Sequence, residues 1–225
     1  MPTTAHWLTP SSSRQQKKSA MDILTHPSDI ATWISEHPEA RIIGIVGPPG
    51  SGKTTVSQDL PAHLTVTHCV VPMDGFHYPQ DTLRTMGRRD RMGAPDTFDT
   101  TALATLLASV REREEPVVFP EFDRTIEEPI PGSITVMPDH ALVILEGNYL
   151  LVDDADWAPI GELLDLCIYV DIPEDVRLSR LTQRHVDFGK SLSDATEWVA
   201  RVDQANARVI EATKGRANAW YQPEP

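Results

Sequence analysis

The chain has 225 residues, of which 40% are hydrophobic and 24% are charged, a composition typical of a globular protein and not of a disordered one. This length fits a single α/β domain with a substantial buried core. The formal net charge of −13 makes a nucleic-acid backbone an unfavourable partner, so a phosphate-binding site must be basic locally, against the charge of the whole molecule.

Residues 1–20 are polar, contain several Ser and basic residues, and show no periodicity. We expect them to form a flexible N-terminal extension before a single domain over residues 21–225. No apolar run approaches the length of about 20 residues that spans a membrane, and no signal peptide is apparent. Cys69 and Cys167 lie in apolar stretches and are expected to be buried free thiols. Together these features predict a cytoplasmic protein without a membrane or nucleic-acid partner.

Strands and helices alternate along residues 21–225. The predicted elements are a helix over 29–36 with Ser28 as its N-cap, a strand over 41–46, a helix from 52 to about 60, a strand over 65–71, a helix over 100–113, a strand over 116–119, a hairpin formed by 126–131 and 133–136 with its turn at Pro131 and Gly132, strands over 141–145 and 167–171, and helices over 173–188 and 194–211. This alternation predicts a three-layer αβα fold with a mainly parallel sheet.

The segment GPPGSGKT at residues 47–54 matches the phosphate-loop (P-loop) pattern G-x-x-x-x-G-K-[ST]. Its glycines allow backbone N–H groups to turn toward phosphate oxygens. In this pattern Lys53 reaches the β- and γ-phosphates, Thr54 ligates Mg²⁺, and Thr55 can contact the α-phosphate. The predicted strand before the loop and helix after it disfavour a ligand-free glycine turn, so the sequence predicts a P-loop NTPase fold that uses ATP and Mg²⁺. The expected nucleotide-binding residues are Gly47, Pro48, Pro49, Gly50, Ser51, Gly52, Lys53, Thr54 and Thr55.

Two carboxylates follow predicted strands. Asp74 comes after the strand over 65–71, and Glu146 ends the strand over 141–145; each is followed by Gly. Ligands of open α/β sheets bind at the carboxyl ends of the strands, and phosphoryl transfer needs a metal ligand and a group that positions the attacking hydroxyl. The alternative is a helix-capping Asp and a solvated loop Glu, which the P-loop disfavours.

The motifs GPPGSGKTT, MDGFH, VILEGNYLL and DVRLSRLTQRH occur in this order over residues 41–190. In these motifs the chain resembles the P-loop kinases of the uridine kinase, pantothenate kinase and phosphoribulokinase group. It resembles most closely a bacterial branch of nucleoside kinase-like, pantothenate kinase-like or fructose-transport-associated kinases, which shares FDR-x-x-EEPI between MDGFH and EGNYLL. The resemblance implies that Asp74 is the catalytic base and that Thr54 and Glu146 lie at the metal. It also implies a small helical lid at about 177–195, and a homodimer, since members of this group are commonly dimers or tetramers.

Arg177, Arg180 and Arg184 lie three and four residues apart, which puts them on one side of a helix. They either form a solvated face that pairs with Glu174 and its neighbours, or close over the phosphates as lid arginines. The resemblance favours Arg180 and Arg184 over Arg177. The predicted catalytic residues are therefore Asp74, Lys53, Arg180 and Arg184.

The acceptor pocket is expected around Asp74 and the polar segment 120–129. Uridine kinases carry P-x-Y-D here and a His five residues after the Tyr, where this chain has Phe122 and Glu127. Pantothenate kinases carry P-x-Y-S-H, where this chain has Asp123 and Arg124. The segment therefore indicates neither uridine nor pantothenate as the acceptor.

Four residues are candidates for acceptor binding: His77, Tyr78, Arg124 and Asn206. His77 either lines the pocket or is a structural histidine. Arg124 either binds an anionic or polyhydroxy acceptor or pairs with Glu127 and Glu128.

The function predicted from these features is transfer of the γ-phosphate of ATP to a hydroxyl of a small molecule, such as a nucleoside, a pantothenate-like compound or a sugar. Two alternatives stay open. One is a nucleotide-binding ATPase or regulatory protein without an acceptor. The other is a nucleoside monophosphate kinase, whose second phosphate group would require Arg88, Arg89 and Arg91.

Overall fold

The computed structural model describes residues 21–224, so the predicted extension over residues 1–20 lies outside the described residues. Within the described part, eight strands occur: β1 Asp22–Leu24, β2 Ile42–Val46, β3 His68–Pro72, β4 Val117–Asp123, β5 Glu128–Val136, β6 Leu142–Gly147, β7 Leu166–Val170 and β8 Ala219–Tyr221. The same residues form eight α-helices: α1 Pro27–Ser35, α2 Lys53–Asp59, α3 Gln80–Thr85, α4 Thr100–Glu112, α5 Ala158–Leu163, α6 Glu174–Asp187, α7 Leu192–Trp198 and α8 Gln204–Glu211.

Six strands form one parallel sheet in the order β1-β8-β7-β2-β6-β3. Every residue of the central strand β2 is buried, and its side chains alternate between the two faces of the sheet. Ile42 and Val46 belong to the apolar core that includes α4 and α5, whereas Ile43 and Ile45 belong to the core that includes α1 and α2. Helices thus cover both faces, which confirms the predicted three-layer αβα fold with a parallel sheet.

The start of the fold differs from the prediction. Regular structure begins before Ser28, because β1 pairs in parallel with β8 at the edge of the sheet. Helix α1 begins at Pro27, and His26 is its N-cap in place of Ser28. The His26 side chain accepts a hydrogen bond from the Ser28 N–H, and the Asp29 carboxylate accepts one from the His26 N–H at 2.9 Å. Proline at the first helical position favours this start, since the N–H it lacks would have no helical partner there.

The predicted hairpin with its turn at Pro131 and Gly132 is wrong. Strand β5 continues through both residues and pairs antiparallel with β4, so the turn lies at residues 124–127. Glu127 adopts a left-handed φ of 53° in this turn. The register shifts around Pro131 and Gly132, from Glu121 opposite Ile130 to Phe119 opposite Ile134, so these two residues lie in a β-bulge without pairing partners. Proline's missing N–H therefore costs no ladder hydrogen bond. Arg124 consequently lies at the tip of a long hairpin.

The helix predicted over 194–211 is interrupted. It consists of α7, a π-helical turn at Val199–Asp203 and α8. The short elements α3, α5 and β8 have no counterpart among the predicted elements. Cys167 is buried as expected, whereas Cys69 is only half-buried; both are free thiols. No helix in residues 21–224 combines the length and apolar composition that a membrane crossing requires.

Candidate active site

The phosphate loop at residues 47–52 connects the end of β2 to the start of α2. Gly50 and Gly52 have positive φ angles of 81° and 93°, which residues with a side chain rarely adopt. At Gly47 a Cβ atom would lie 2.8 Å from the carbonyl oxygen of Val170 in β7. The conformation of the loop and its close contact with β7 therefore both depend on glycine.

Two polar side chains of the loop are buried. The Ser51 hydroxyl has no hydrogen-bond partner among the described residues, which is rare for a buried polar group. The Lys53 ammonium donates to the Pro48 carbonyl oxygen at 3.2 Å. Burial lowers the pKa of Lys53 to about 8, although Glu146 and Asp74 act to raise it. An anion with several acceptor oxygens would satisfy both side chains, so the loop fits the phosphates of a nucleotide.

Glu146 is the next-to-last residue of β6 and lies beside the loop, because β6 pairs with β2. Its Oε2 atom lies 3.4 Å from the Thr54 hydroxyl. Burial raises the pKa of Glu146, and Lys53 acts to lower it. Residues 21–224 contain no cluster of three or more His, Cys, Asp or Glu side chains arranged to hold a metal. One hydroxyl and one carboxylate nevertheless suit Mg²⁺, which takes most of its remaining ligands from water and phosphates.

Asp74 follows β3 in a 3₁₀ turn, Met73–Phe76. Gly75 allows this turn to pack closely against β4, since a Cβ there would clash with the carbonyl oxygen of Pro120. The Asp74 carboxylate accepts a hydrogen bond from the Arg124 guanidinium, with 2.6 Å between Nη2 and Oδ2. The turn after β3 and the tip of the β4–β5 hairpin therefore meet at this carboxylate.

Of the two alternatives for Arg124, the pairing with Glu127 and Glu128 is wrong. Glu127 pairs with Arg89, and the Glu128 carboxylate accepts a hydrogen bond from the backbone N–H of Gln80 at 3.3 Å. Side chains three and four residues apart are neighbours on a helix, but this segment is the tip of a hairpin, where they diverge.

His77 is buried between two aromatic rings, Phe98 and Phe122, with centroids 4.0 Å and 4.8 Å away. Its Nδ1 lies 2.8 Å from the Asp74 carbonyl oxygen, and we assign the ring proton to Nδ1 because that oxygen can only accept. Burial lowers the pKa of His77, which favours the neutral ring. His77 thus stabilises the turn that holds Asp74. Phe98 is a part of this cluster that no local sequence pattern indicates.

Tyr78 and Asn206 contact the segment over residues 93–99. The backbone N–H of Tyr78 donates to the Thr97 carbonyl oxygen at 3.0 Å, and the Asn206 amide donates to the Gly93 carbonyl oxygen at 3.4 Å. These contacts are structural, so a role for either residue in acceptor binding stays a prediction.

Arg177 differs from the other two arginines of α6 because it is only 1% exposed. Its guanidinium donates to the Pro49 carbonyl oxygen at 3.5 Å and to the side-chain oxygen of Gln204. A Cβ on Gly50 would lie 2.8 Å from the Arg177 carbonyl oxygen, so this turn of α6 packs directly on the phosphate loop. Arg177 is therefore not part of a solvated face, although the expected pairing with Glu174 occurs at 3.7 Å. The residue supports the loop from the protein interior.

Arg180 and Arg184 are exposed. A Cβ on Gly52 would lie 3.5 Å from Arg180 Nη1, so this guanidinium borders the phosphate loop. Partial desolvation lowers the pKa of Arg184, and Arg124 lowers it further, whereas Asp74 is among the carboxylates that raise it. Arg184 is seven residues after Arg177, a distance of about 10 Å along α6. Arg184 therefore lies further along the helix than the turn that packs on the phosphate loop.

The arginines of residues 87–92 are engaged by carboxylates. Arg88 and Arg91 both pair with Asp96, at 3.3 Å and 2.7 Å, and Arg89 pairs with Glu127. A second phosphate group would have to displace these carboxylates, so the structure does not favour a nucleoside monophosphate at this position.

Comparisons with known proteins agree with this geometry. The model of the phosphoribulokinase / uridine kinase family matches residues 42–225. The chain is 31% identical over 200 residues to the uncharacterized protein YggC of Escherichia coli K12, covering 84% of this chain and 81% of that protein. It is 33% identical over 181 residues to a uridine kinase of Latilactobacillus sakei, covering 79% and 82% of the two chains. A crystal structure from Silicibacter sp. TM1040, provisionally named a fructose transport system kinase, superposes with a TM-score of 0.82 at 34% identity, covering 88% of this chain and all of that one.

Proposed function

The chain belongs to the phosphoribulokinase / uridine kinase family, and on that premise we propose that it transfers the γ-phosphate of ATP to a hydroxyl group of a small molecule, with Asp74 as the base. One observation carries the assignment of the site. Three neighbouring strands, β2, β6 and β3, lead into the phosphate loop, Glu146 and the Asp74 turn respectively. Parallel strands bring these groups to one edge of the sheet, where ligands of open α/β sheets bind.

The residues of the loop fit ATP, and the pair of Thr54 and Glu146 fits Mg²⁺. Ser51 and Lys53 would donate hydrogen bonds to phosphate oxygens, which would satisfy the buried hydroxyl and ammonium. Thr54 and Glu146 would contribute one oxygen each to the metal. When bound, Mg²⁺ supplies positive charge that neutralises and orients the phosphate oxygens.

Asp74 positions the acceptor hydroxyl and accepts its proton as the hydroxyl oxygen bonds to the γ-phosphorus. The bond from that phosphorus to the oxygen bridging the β- and γ-phosphates breaks, and ADP keeps the electron pair. Lys53 and Arg180 lie at or beside the loop, and the charge of Arg184 acts on Lys53 from further along α6. These three residues stabilise the negative charge of the transferring group. Positioning and electrostatic stabilisation account for most of the catalysis in such a reaction.

A coupled ADP-release assay with Mg²⁺-ATP tests this function. The panel contains nucleosides, nucleoside monophosphates, sugars and hydroxy acids, and thermal melting with each compound provides a second readout. We expect one class of hydroxyl compound to stimulate ADP release. Release that no added compound changes would contradict the proposal and favour an ATPase or regulatory protein, and stimulation by monophosphates alone would favour a nucleoside monophosphate kinase. The homodimer, the lid at 177–195 and the cytoplasmic location stay predictions.

A further inference from the structure

Arg124 has unusual surroundings for a hairpin-tip arginine. Among the described residues, Asp74 is its one ion-pair partner, although Glu127 and Glu128 are close in sequence. The Arg124 side chain is 50% exposed, and that of Asp74 is 24% exposed. A guanidinium has five N–H donors, and Arg124 uses one of them in this pair. The remaining donors are available to a ligand beside Asp74.

The hairpin tip that carries Arg124 is tied to helix α3. The Gln80 side-chain amide donates to the Ile126 carbonyl oxygen at 2.8 Å, and Asp123 accepts a hydrogen bond from the Thr125 N–H at 2.7 Å within the turn. Glu128 accepts a hydrogen bond from the Gln80 N–H at the start of α3, and Glu127 pairs with Arg89, just after the end of α3. The tip therefore holds Arg124 beside Asp74 and keeps it away from the acidic residues of its own turn.

We propose that Arg124 binds an anionic group of the phosphate acceptor, a carboxylate or a phosphate, which replaces Asp74 as the partner of the guanidinium. This inference rests on the proposed kinase function, because it names the chemical class of the acceptor at the same site. The acceptor is then a small molecule that carries both a hydroxyl for Asp74 and an anionic group for Arg124.

The chemistry of the transfer explains why an anion is needed. Asp74 takes the proton of the attacking hydroxyl and so loses the negative charge that pairs with Arg124. With a neutral acceptor this proton transfer leaves the guanidinium without an anion, whereas an anionic acceptor exchanges one charge-assisted pair for another. Hydrogen bonds to charged groups contribute enough free energy to separate the two cases by about 10- to 100-fold in affinity.

Matched pairs of acceptors test the proposal in the ADP-release assay. The carboxylate arm compares gluconate with sorbitol and pantothenate with pantothenyl alcohol; the phosphate arm compares fructose 6-phosphate with fructose. Each pair is assayed with the wild type, Arg124→Gln, Arg124→Lys and the control Arg208→Gln, which removes an exposed arginine of α8. Melting temperatures of all variants, with and without ADP, show whether the fold and the nucleotide site are intact.

We expect the wild type to use the anionic member of at least one pair. Arg124→Gln should raise KM for that compound about 10- to 100-fold, Arg124→Lys should restore part of the loss, and Arg208→Gln should change nothing. Equal use of the neutral member, an unchanged KM in Arg124→Gln, or no response to either anionic class would overturn the proposal. Turnover of neutral acceptors alone would leave the kinase function standing, whereas the absence of transfer to any compound would contradict the kinase function itself.

Discussion

Replacement of Gly50 by Ala tests the contact between the phosphate loop and α6. The added Cβ would lie 2.7 Å from Leu181 Cγ and 2.8 Å from the Arg177 carbonyl oxygen, at a φ of 81°. The left-handed conformation costs Ala about 1–2 kcal/mol, and overpacking against a backbone carbonyl adds about 1–3 kcal/mol. We therefore expect Gly50→Ala to lower the free energy of unfolding by about 2–5 kcal/mol. ATP should also bind more weakly, because α6 must move away from the loop.

Gly189 provides the matched control. Its φ is 94°, but nothing lies within 4 Å of an added Cβ, so Gly189→Ala retains only the backbone cost. At this chain length each kcal/mol shifts the melting temperature by about 2–4 °C. Gly50→Ala should therefore melt about 2–12 °C below Gly189→Ala in a thermal unfolding experiment, and it alone should lose nucleotide affinity. Equal melting temperatures with equal ADP affinities would refute the packing argument.

Two further predictions concern charges at the loop. The folded pKa of Lys53, about 8, lies below its ordinary 10.5, so at about pH 8.5 roughly three quarters of the free protein carries neutral Lys53. Bound phosphates favour the charged form of Lys53, so ADP binding should take up a proton at about pH 8.5, whereas Lys53 should take up none near pH 6.5. Calorimetry in buffers of different ionisation enthalpy measures this proton uptake. The substitution Lys53→Arg should abolish the uptake. A binding heat independent of the buffer would contradict this prediction. The second substitution, Arg177→Met, should lower the free energy of unfolding by about 1–3 kcal/mol and raise KM for ATP, because the Pro49 carbonyl oxygen loses its hydrogen-bond donor. An unchanged melting temperature would contradict the role of Arg177 in supporting the loop.

The nucleotide half of the site could be predicted from the sequence because its signals are local. The glycine pattern of residues 47–54 joins an apolar strand to a helix, and Asp74 and Glu146 lie at the carboxyl ends of apolar strands. Once the strands are parallel, their carboxyl ends share one edge, so these groups come together without further information.

The acceptor half and the support of the phosphate loop depend on contacts that sequence periodicity cannot supply. Arg124 and Asp74 are 50 residues apart, and Arg177 and Gln204 are 27 residues apart. Both contacts follow from the position of the hairpin turn and from the packing of α6 on the loop. Pro131 and Gly132 resemble a turn in sequence, but they form a bulge within β5, and the pairing with β4 resumes beyond them. The partners of these arginines are therefore visible only in the three-dimensional structure.

Asp74 is the proposed base of the phosphotransferase, and the substitution Asp74→Asn tests that role. The substitution keeps the size of the side chain but removes its ability to accept the proton. With the acceptor identified by the ADP-release screen, we expect nucleotide affinity close to that of the wild type and a kcat lower by about 10²- to 10⁴-fold. Turnover at the wild-type rate would show that Asp74 is not the base and would contradict the account of this site.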